Sequence, residues 1–310
     1  MDGVTDFLHR ELVTSLGGVS LCVTEFVRVT SGAVPARVLL RDAPELSRGG
    51  TTTSGVPVFV QLLGGDPAAM AASARVAARL GAPGIDINFG CPAKRVNSHD
   101  GGASILRCPE RAEHITRAVR DAVPAEIPVS VKIRLGWADS TCVEELAQRI
   151  ERGGASWLTI HARTKQQMYM PPVDHAAVGR ARASVSMPVV ANGDIASRDD
   201  LERCRALSAA HGFMLGRASL SNPFLFRELR GAEIPGDFRA AYVELLERYV
   251  SMMLAASHNE AQALCRLKQW LGLGKSLAPG LCAMFDTVKV CSSLSDAFVA
   301  LSTTPAPIAA

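Results

Sequence analysis

The chain has 310 residues, 48% hydrophobic and 20% charged, which is enough apolar sequence for one large core plus a smaller appendage and excludes a largely disordered protein. Basic and acidic residues nearly balance, 33 against 30, so net charge (+3) argues neither for nor against a nucleic-acid partner. The start, Met1-Asp2-Gly3-Val4-Thr5-Asp6, has neither the basic nor the apolar region of a signal peptide, and no later stretch is apolar over the length of a membrane span; a cytoplasmic protein is expected.

Short β-rich runs at 21–27, 58–64, 84–90, 129–135, 157–163, 189–195 and 212–217 alternate with segments of helical periodicity at 68–81, 110–122, 143–153 and 197–209. That alternation predicts parallel strands joined by helices. Seven visible strands suggest an α/β fold of the TIM (β/α)8 type with one strand missing. Ile85 and Ile87 alternate with Asp86 and Asn88, and Val131 and Ile133 with Lys132 and Arg134, so polar groups collect on one face and at one mouth, as in a barrel. No Gly-x-Gly-x-x-Gly follows a strand, which removes the main support for a dinucleotide-binding doubly wound sheet.

Asn222-Pro223 ends the alternation, after which 239–256, 259–274, 280–290 and 293–302 read as helices. The expected organisation is a catalytic barrel over 1–225, a small helical domain over 226–302 and a frayed tail over 303–310. The eight cysteines form no Cys-x-x-Cys pair and have no histidine at metal spacing, so neither a disulfide framework nor a metal site is indicated.

Cys91 ends the run Gly84-Ile85-Asp86-Ile87-Asn88-Phe89-Gly90 and is followed by Pro92 and a loop with Lys94, Arg95 and Asn97. A thiol at a strand end before a basic loop is placed for acid, base or nucleophilic work, although most cysteines are inert core residues. Lys132, at inward parity, needs an anion or an electron-rich ring unless it is solvated at the mouth. A flavin would satisfy it, and Gln61 at the end of another strand would offer a carboxamide to the same ring, unless it is only a surface strand end. His161 and Arg163 share parity on that rim. Asn192-Gly193-Asp194 and Gly216-Arg217 end the last two runs, where barrels build phosphate sites from backbone N–H groups, with Arg217 to supply charge. Taken alone, both dipeptides also read as loop punctuation. Asp194 is expected to turn its side chain away from such a phosphate.

Together these pieces resemble the flavin-dependent tRNA-dihydrouridine synthases: Met1 to Asp6, Gln61-Leu62-Leu63-Gly64, Asp86 to Pro92, Gly101-Gly102-Ala103, Val131 to Gly136, His161-Ala162-Arg163-Thr164, Ala191 to Ile195 and Gly216-Arg217. Thr24 to Val29, Arg134 to Trp137 and Leu267 to Leu271 look like the bacterial C subgroup, whose members modify uridine 16 of the D-loop. The resemblance implies FMN at the barrel mouth, held by Gln61, Lys132, His161, Asn192, Gly193, Asp194, Gly216 and Arg217, with Met1 and Asp2 beside the ring. It implies NADPH (or NADH) as electron donor, Cys91 as general acid to a uracil oriented by Asn88, and tRNA as partner. Arg28, Lys94 and Arg163 are then candidates for RNA contacts. So are Arg266 and Lys268, because 261–275 carries no acidic residue and the family's helical domain cradles tRNA. No protein partner is implied, and a monomer is expected.

The family's barrel begins with a short apolar strand, whereas this chain starts at the Met that would follow it, so a start codon upstream of Met1 is expected. Asn97-Ser98-His99-Asp100 replaces a more glycine-rich loop. Two other readings stay open: a dihydroorotate-dehydrogenase-like flavoprotein acting on a free pyrimidine, and an RNA-binding protein without catalysis.

Overall fold

The computed structural model describes residues 3–275 and 280–303. In chain order the elements are α1 (Phe7–Ser15), β1 (Cys22–Val23), β2 (Val27–Arg28), α2 (Ala36–Asp42), β3 (Val58–Leu63), α3 (Pro67–Arg79), β4 (Ile85–Asn88), α4 (Lys94–Asn97), α5 (Pro109–Ala122), β5 (Val129–Arg134), α6 (Val143–Arg152), β6 (Trp157–His161), α7 (His175–Ala183), β7 (Val189–Asn192), α8 (Arg198–Ser208) and β8 (Gly212–Met214). There follow α9 (Ala218–Ser221), α10 (Leu225–Leu229), α11 (Phe238–Ala255), α12 (Glu260–Gly274), α13 (Leu281–Val288) and α14 (Leu294–Thr303). Among the described residues no helix is long and apolar enough to cross a membrane.

Two compact units emerge. The first takes Ser20–Ile195 and Asp199–Met214; the second takes Gly3–Val19, Ala196–Arg198 and the chain from Leu215 on. The first unit is a parallel sheet in the order β1-β3-β4-β5-β6-β7-β8, with β2 also on β3, and with helices on its outer face: a half-barrel of TIM type. α3 lies against α5, α5 against α6, and α6 against α7.

Register explains why this sequence chooses that arrangement. Leu62, Ile87, Val131, Leu158 and Val189 are successive cross-strand partners, as are Ile133, Ile160, Ala191 and Phe213. From Leu62 to Ala191 these residues are fully buried, each large aliphatic one contributing roughly 1.5–3 kcal/mol of transfer free energy. The alternate residues face the other way, and a one-residue slip would exchange the two sets. Helix starts are fixed locally: Asp66 and Asp174 accept from the backbone N–H of Ala69 and Ala177, at 2.7 and 2.9 Å, opening α3 and α7.

Three features differ from the sequence expectation. The run 21–27 forms two short strands, because the Thr24 hydroxyl replaces a backbone acceptor and takes the Gln61 N–H at 3.0 Å, interrupting the ladder. The helix α7 was not anticipated, its apolar positions being small and weakly periodic; Asp174 was the available start signal. Finally, the units divide at Met214/Leu215 rather than near residue 225, and α1 belongs with the helical unit. Leu8 and Leu12 share that unit's core with Leu220, Tyr242, Leu246, Tyr249 and Trp270. Asp6 caps α1 and also accepts from Arg266 Nη2 at 2.6 Å and Tyr249 Oη at 3.2 Å.

Candidate active site

The inward-facing residues of the half-barrel form layers along the strand axis. Deepest is Phe59, whose ring lies 5.2 Å from that of Trp157, the register partner of Ser130; Gly84 must be glycine there, because a Cβ would lie 2.0 Å from the Phe59 ring. The next layer aligns Gln61, Asp86 and Ser130. Then come Asn88, Lys132 and Thr159, and at the strand ends Arg134, His161 and Asn192. Seven of the residues picked from sequence, Gln61, Asn88, Cys91, Lys132, His161, Asn192 and Gly193, therefore lie on one face or at its C-terminal rim.

Their hydrogen bonds have a direction. Asn88 Oδ1 accepts the N–H groups of Gly90 and Cys91, both at 2.9 Å, which fixes the amide's orientation. Its Nδ2 then donates to Gln61 Oε1 at 2.8 Å, and Gln61 Nε2 donates to Asp86 Oδ2 at 2.7 Å. Ser130 Oγ donates to the other Asp86 oxygen at 2.5 Å. Asp86 is thus the terminal acceptor of a chain that begins at the Cys91 backbone, a role the sequence reading did not assign to it. On the other side of the thiol, the Cys91 carbonyl accepts from Asn97 Nδ2 at 3.0 Å and from Ala103 N at 3.1 Å. With both backbone groups held, the sulfur moves only by rotation about its own side-chain bond. Gly102, at φ +60°, is required here, since a Cβ would approach the Cys91 carbonyl oxygen to 2.9 Å.

Burial dominates the electrostatics. Desolvation pushes the Asp86 carboxyl up to about 6 despite the hydrogen bonds from Ser130 and Gln61 and the charge of Lys132. Desolvation, then Arg134, lowers the Lys132 ammonium to about 8, against the pull of Asp86 and Cys91. A carboxyl whose folded pKa lies above its unfolded value stabilises the fold at low pH, and this contribution is lost as pH rises from about 4 through 6. The span corresponds to roughly 3 kcal/mol. Asp86→Asn keeps the shape and the bond from Gln61, with Ser130 turning to accept. Its stability relative to wild type should therefore rise by roughly 3 kcal/mol between pH 4 and 7, read from urea unfolding of the cofactor-free proteins. A difference that stays flat with pH would show that Asp86 is not the titrating group.

Two arginines are almost wholly enclosed. Arg134 donates to the carbonyls of Gly90 (2.9 Å), Thr164 (2.9 Å) and Met168 (2.6 Å), tying the Cys91 loop to the loop after β6. Arg163, expected to contact RNA, is instead internal, at 1% exposure. Its guanidinium pairs with both Asp194 oxygens, Nη1 to Oδ1 at 2.9 Å, and its Nε donates to Met170 O at 2.8 Å. Asp194, at φ +47°, thus directs its carboxylate to Arg163, while Gly193, at φ +125°, brings its backbone against the His161 ring, 3.1 Å from where a Cβ would lie. Asn192 Nδ2 donates to Met214 O at 2.8 Å.

The sequence reading missed Tyr169. The residue is 51% exposed, its ring centroid 6.4 Å from that of His161 and 5.4 Å from the Arg134 guanidinium carbon. The surrounding run Met168-Tyr169-Met170-Pro171-Pro172 was the available signal: apolar residues on a polar rim, with Met170 68% exposed.

The remaining candidates are placed as follows. Lys94 is exposed at the start of α4, and Arg28 Nη2 donates to Arg95 O at 3.4 Å. Met1 and Asp2 lie outside the described residues, and Gly216 and Arg217 fall in the second unit, just before α9. The α12 cations are engaged within that unit: Arg266 with Asp6 and with Gln269 Oε1 (2.7 Å), Lys268 Nζ with Cys291 O (2.7 Å). Both side chains are half-buried, and these bonds hold α12 to its neighbours.

The chain is similar to known proteins in sequence and in fold. The family described as "Dihydrouridine synthase (Dus)" matches residues 1–280. The chain is 43% identical to a tRNA-dihydrouridine(16) synthase of Ralstonia nicotianae over 93% of this chain and 89% of that protein. It is 41% identical to one from Pasteurella multocida, over 94% and 93% of the two chains. Among solved structures it is similar in fold to a variant of NCR from Zymomonas mobilis, with a TM-score of 0.51 at 16% identity, covering 76% of this chain and 84% of that one. Morphinone reductase in complex with tetrahydroNAD gives the same TM-score at 14% identity, with the same shares covered.

Proposed function

Since the chain belongs to the dihydrouridine synthase family, we propose that it reduces the C5=C6 bond of a uridine in the tRNA D-loop, at position 16, to 5,6-dihydrouridine, with FMN as cofactor and NADPH as electron donor. The observation that carries this reading is Cys91, held through both backbone groups at the rim above Lys132 and connected by hydrogen bonds to the amides of Asn88 and Gln61. Position 16 is supported by the relatives named for that position.

The residues present suit a flat, anionic cofactor. Thr159 Oγ1 is buried on the same face without a hydrogen-bond partner, Lys132 is desolvated beside it in register, and Gly193 leaves no side chain against His161. Gln61, Lys132, His161, Asn192, Gly193 and Asp194 would hold FMN. When bound and reduced by NADPH, FMN supplies the hydride taken up at uracil C6. Gln61 keeps one N–H and one lone pair for it, the others being used by Asp86 and Asn88.

Lys132, with its pKa at about 8, is mostly charged at neutral pH and stabilises negative charge facing it. Asn88 has one N–H left, so it meets the uracil as a donor and not as an acceptor. The Cys91 thiol gives its proton to uracil C5, and its clamped backbone sets the approach. The uridine leaves its stack to reach this rim. Tyr169, aromatic and half exposed beside His161 and Arg134, is placed to stack on it.

Incubation with an unmodified tRNA transcript, FMN and NADPH should add two hydrogens to the RNA, and nuclease mapping should place them at uridine 16. A product at another position overturns the positional assignment. NADPH consumption with no change in RNA mass overturns the substrate.

A further inference from the structure

We propose that Arg107, Trp137 and Lys165 form a binding site for a phosphodiester group of the RNA strand that carries the target uridine, an assignment that rests on the tRNA reading above. The Arg107 guanidinium carbon lies 3.5 Å from the Trp137 ring centroid, and Lys165 Nζ lies 4.4 Å from it. Two like charges on one indole repel each other, and the ring's quadrupole offsets only part of that repulsion. An anion beside the ring, within reach of both cations, offsets the remainder.

The arrangement is built into the backbone. Lys165 N donates to Gly136 O at 2.9 Å and Gln166 N to Trp137 O at 3.0 Å, extending the β5–β6 ladder past both strand ends and fixing the lysine beside the indole. Arg107 closes the 3-10 turn Gly102–Arg107, which runs directly into α5. All three residues therefore stand on loops that follow the C-terminal ends of β4, β5 and β6, the ends that carry Cys91, Arg134 and His161.

The donors outnumber the acceptors. Among the described residues neither Arg107 nor Lys165 has a carboxylate partner, and the Trp137 indole N–H makes no hydrogen bond. Nearby arginines of the same unit differ: Arg111 pairs with Asp100 at 2.7 Å and Arg149 with Glu110 at 2.7 Å. A guanidinium, an ammonium and an indole N–H without an acceptor suit a phosphate oxygen cluster, and a guanidinium held over a ring still has N–H groups to offer. Arg107 is exposed and Trp137 and Lys165 are partly so, which leaves the site open-sided, as a passing polymer backbone requires. The same chemistry would accept the ribose phosphate of NADPH, so the test separates the two sources.

The double variant R107Q/K165Q and the single variant W137F are compared with wild type by fluorescence anisotropy of a labelled, unmodified tRNA across a salt series. Equal melting temperatures of the three proteins check that each is folded. The double variant should bind about 10-fold more weakly near 0.1 M salt, and the slope of log affinity against log salt should fall by about 1, as expected when one phosphate is no longer neutralised. W137F, which keeps a ring but loses the N–H and part of the quadrupole, should lose about 2- to 5-fold. Unchanged affinity and slope in R107Q/K165Q, with wild type binding tRNA, overturn this site alone. A loss that appears instead as a raised KM for NADPH in flavin reduction without tRNA overturns the RNA assignment in favour of the dinucleotide. A wild-type protein that binds no tRNA overturns the substrate reading on which the site rests.

Discussion

Replacing Cys91 by alanine should lower dihydrouridine formation by roughly 10²- to 10⁴-fold, the usual worth of a positioned general acid. Flavin reduction by NADPH, which needs no proton from this thiol, should continue. The two half reactions can be followed separately, by bleaching of the flavin absorbance and by RNA mass. The backbone of the variant should stay in place, because the groups that fix residue 91 belong to Asn88, Asn97 and Ala103 and bond only to its main chain. Loss of function therefore reports the sulfur itself and not a displaced loop. Equal loss in both half reactions would remove the general-acid role.

The largest effect on stability is expected at Arg134. The residue is 2% exposed and its guanidinium satisfies three carbonyls, from Gly90, Thr164 and Met168. Arg134→Met keeps most of the side-chain volume but leaves those oxygens to find water or go without, at about 1–3 kcal/mol for each buried group left unpaired. Removal of the desolvated charge returns part of that, so a net loss of about 3 kcal/mol is expected in urea unfolding. Because two of the three carbonyls lie in the loop after β6, proteolysis at 165–170 should accelerate in the variant. A loss below about 1 kcal/mol, with the loop still protected, would show that the three bonds are replaceable.

The layered interior was legible in the sequence wherever a residue lay within a strand, since period-2 alternation fixes the facing of Asp86, Asn88, Lys132 and His161. It failed one step beyond a strand end. Arg163 shares parity with His161, but its N–H turns back to the His161 carbonyl at 2.7 Å, so parity no longer governs direction and the guanidinium swings inward to Asp194. The partner of Arg266 is Asp6, at the far end of the chain, and no local charge pattern in 261–275 could reveal it. Tyr169 lies in an irregular loop where no period applies. Asp86 was read as part of an alternation, but its position as final acceptor depends on which way two amides point, a property that no sequence carries.

The succession of inward layers, from the Phe59 ring through Asp86 and then Lys132 to Arg134 and His161, orders the half-barrel by polarity. A molecule settling into the mouth meets cations first and aromatic carbon last, so its hydration shell is shed gradually, and the field it feels grows as the screening water leaves. Proton affinities shift accordingly: deep in the barrel Asp86 is biased toward holding its proton, and one layer nearer the rim Lys132 toward releasing one. Arrival of an anion near Lys132 would raise its affinity for a proton, while at Asp86 direct repulsion by the anion is opposed by the more fully charged Lys132. Ligand binding at this mouth should thus be accompanied by uptake of a fractional proton from solvent, a linkage that comes from the depth of Lys132 in the sheet.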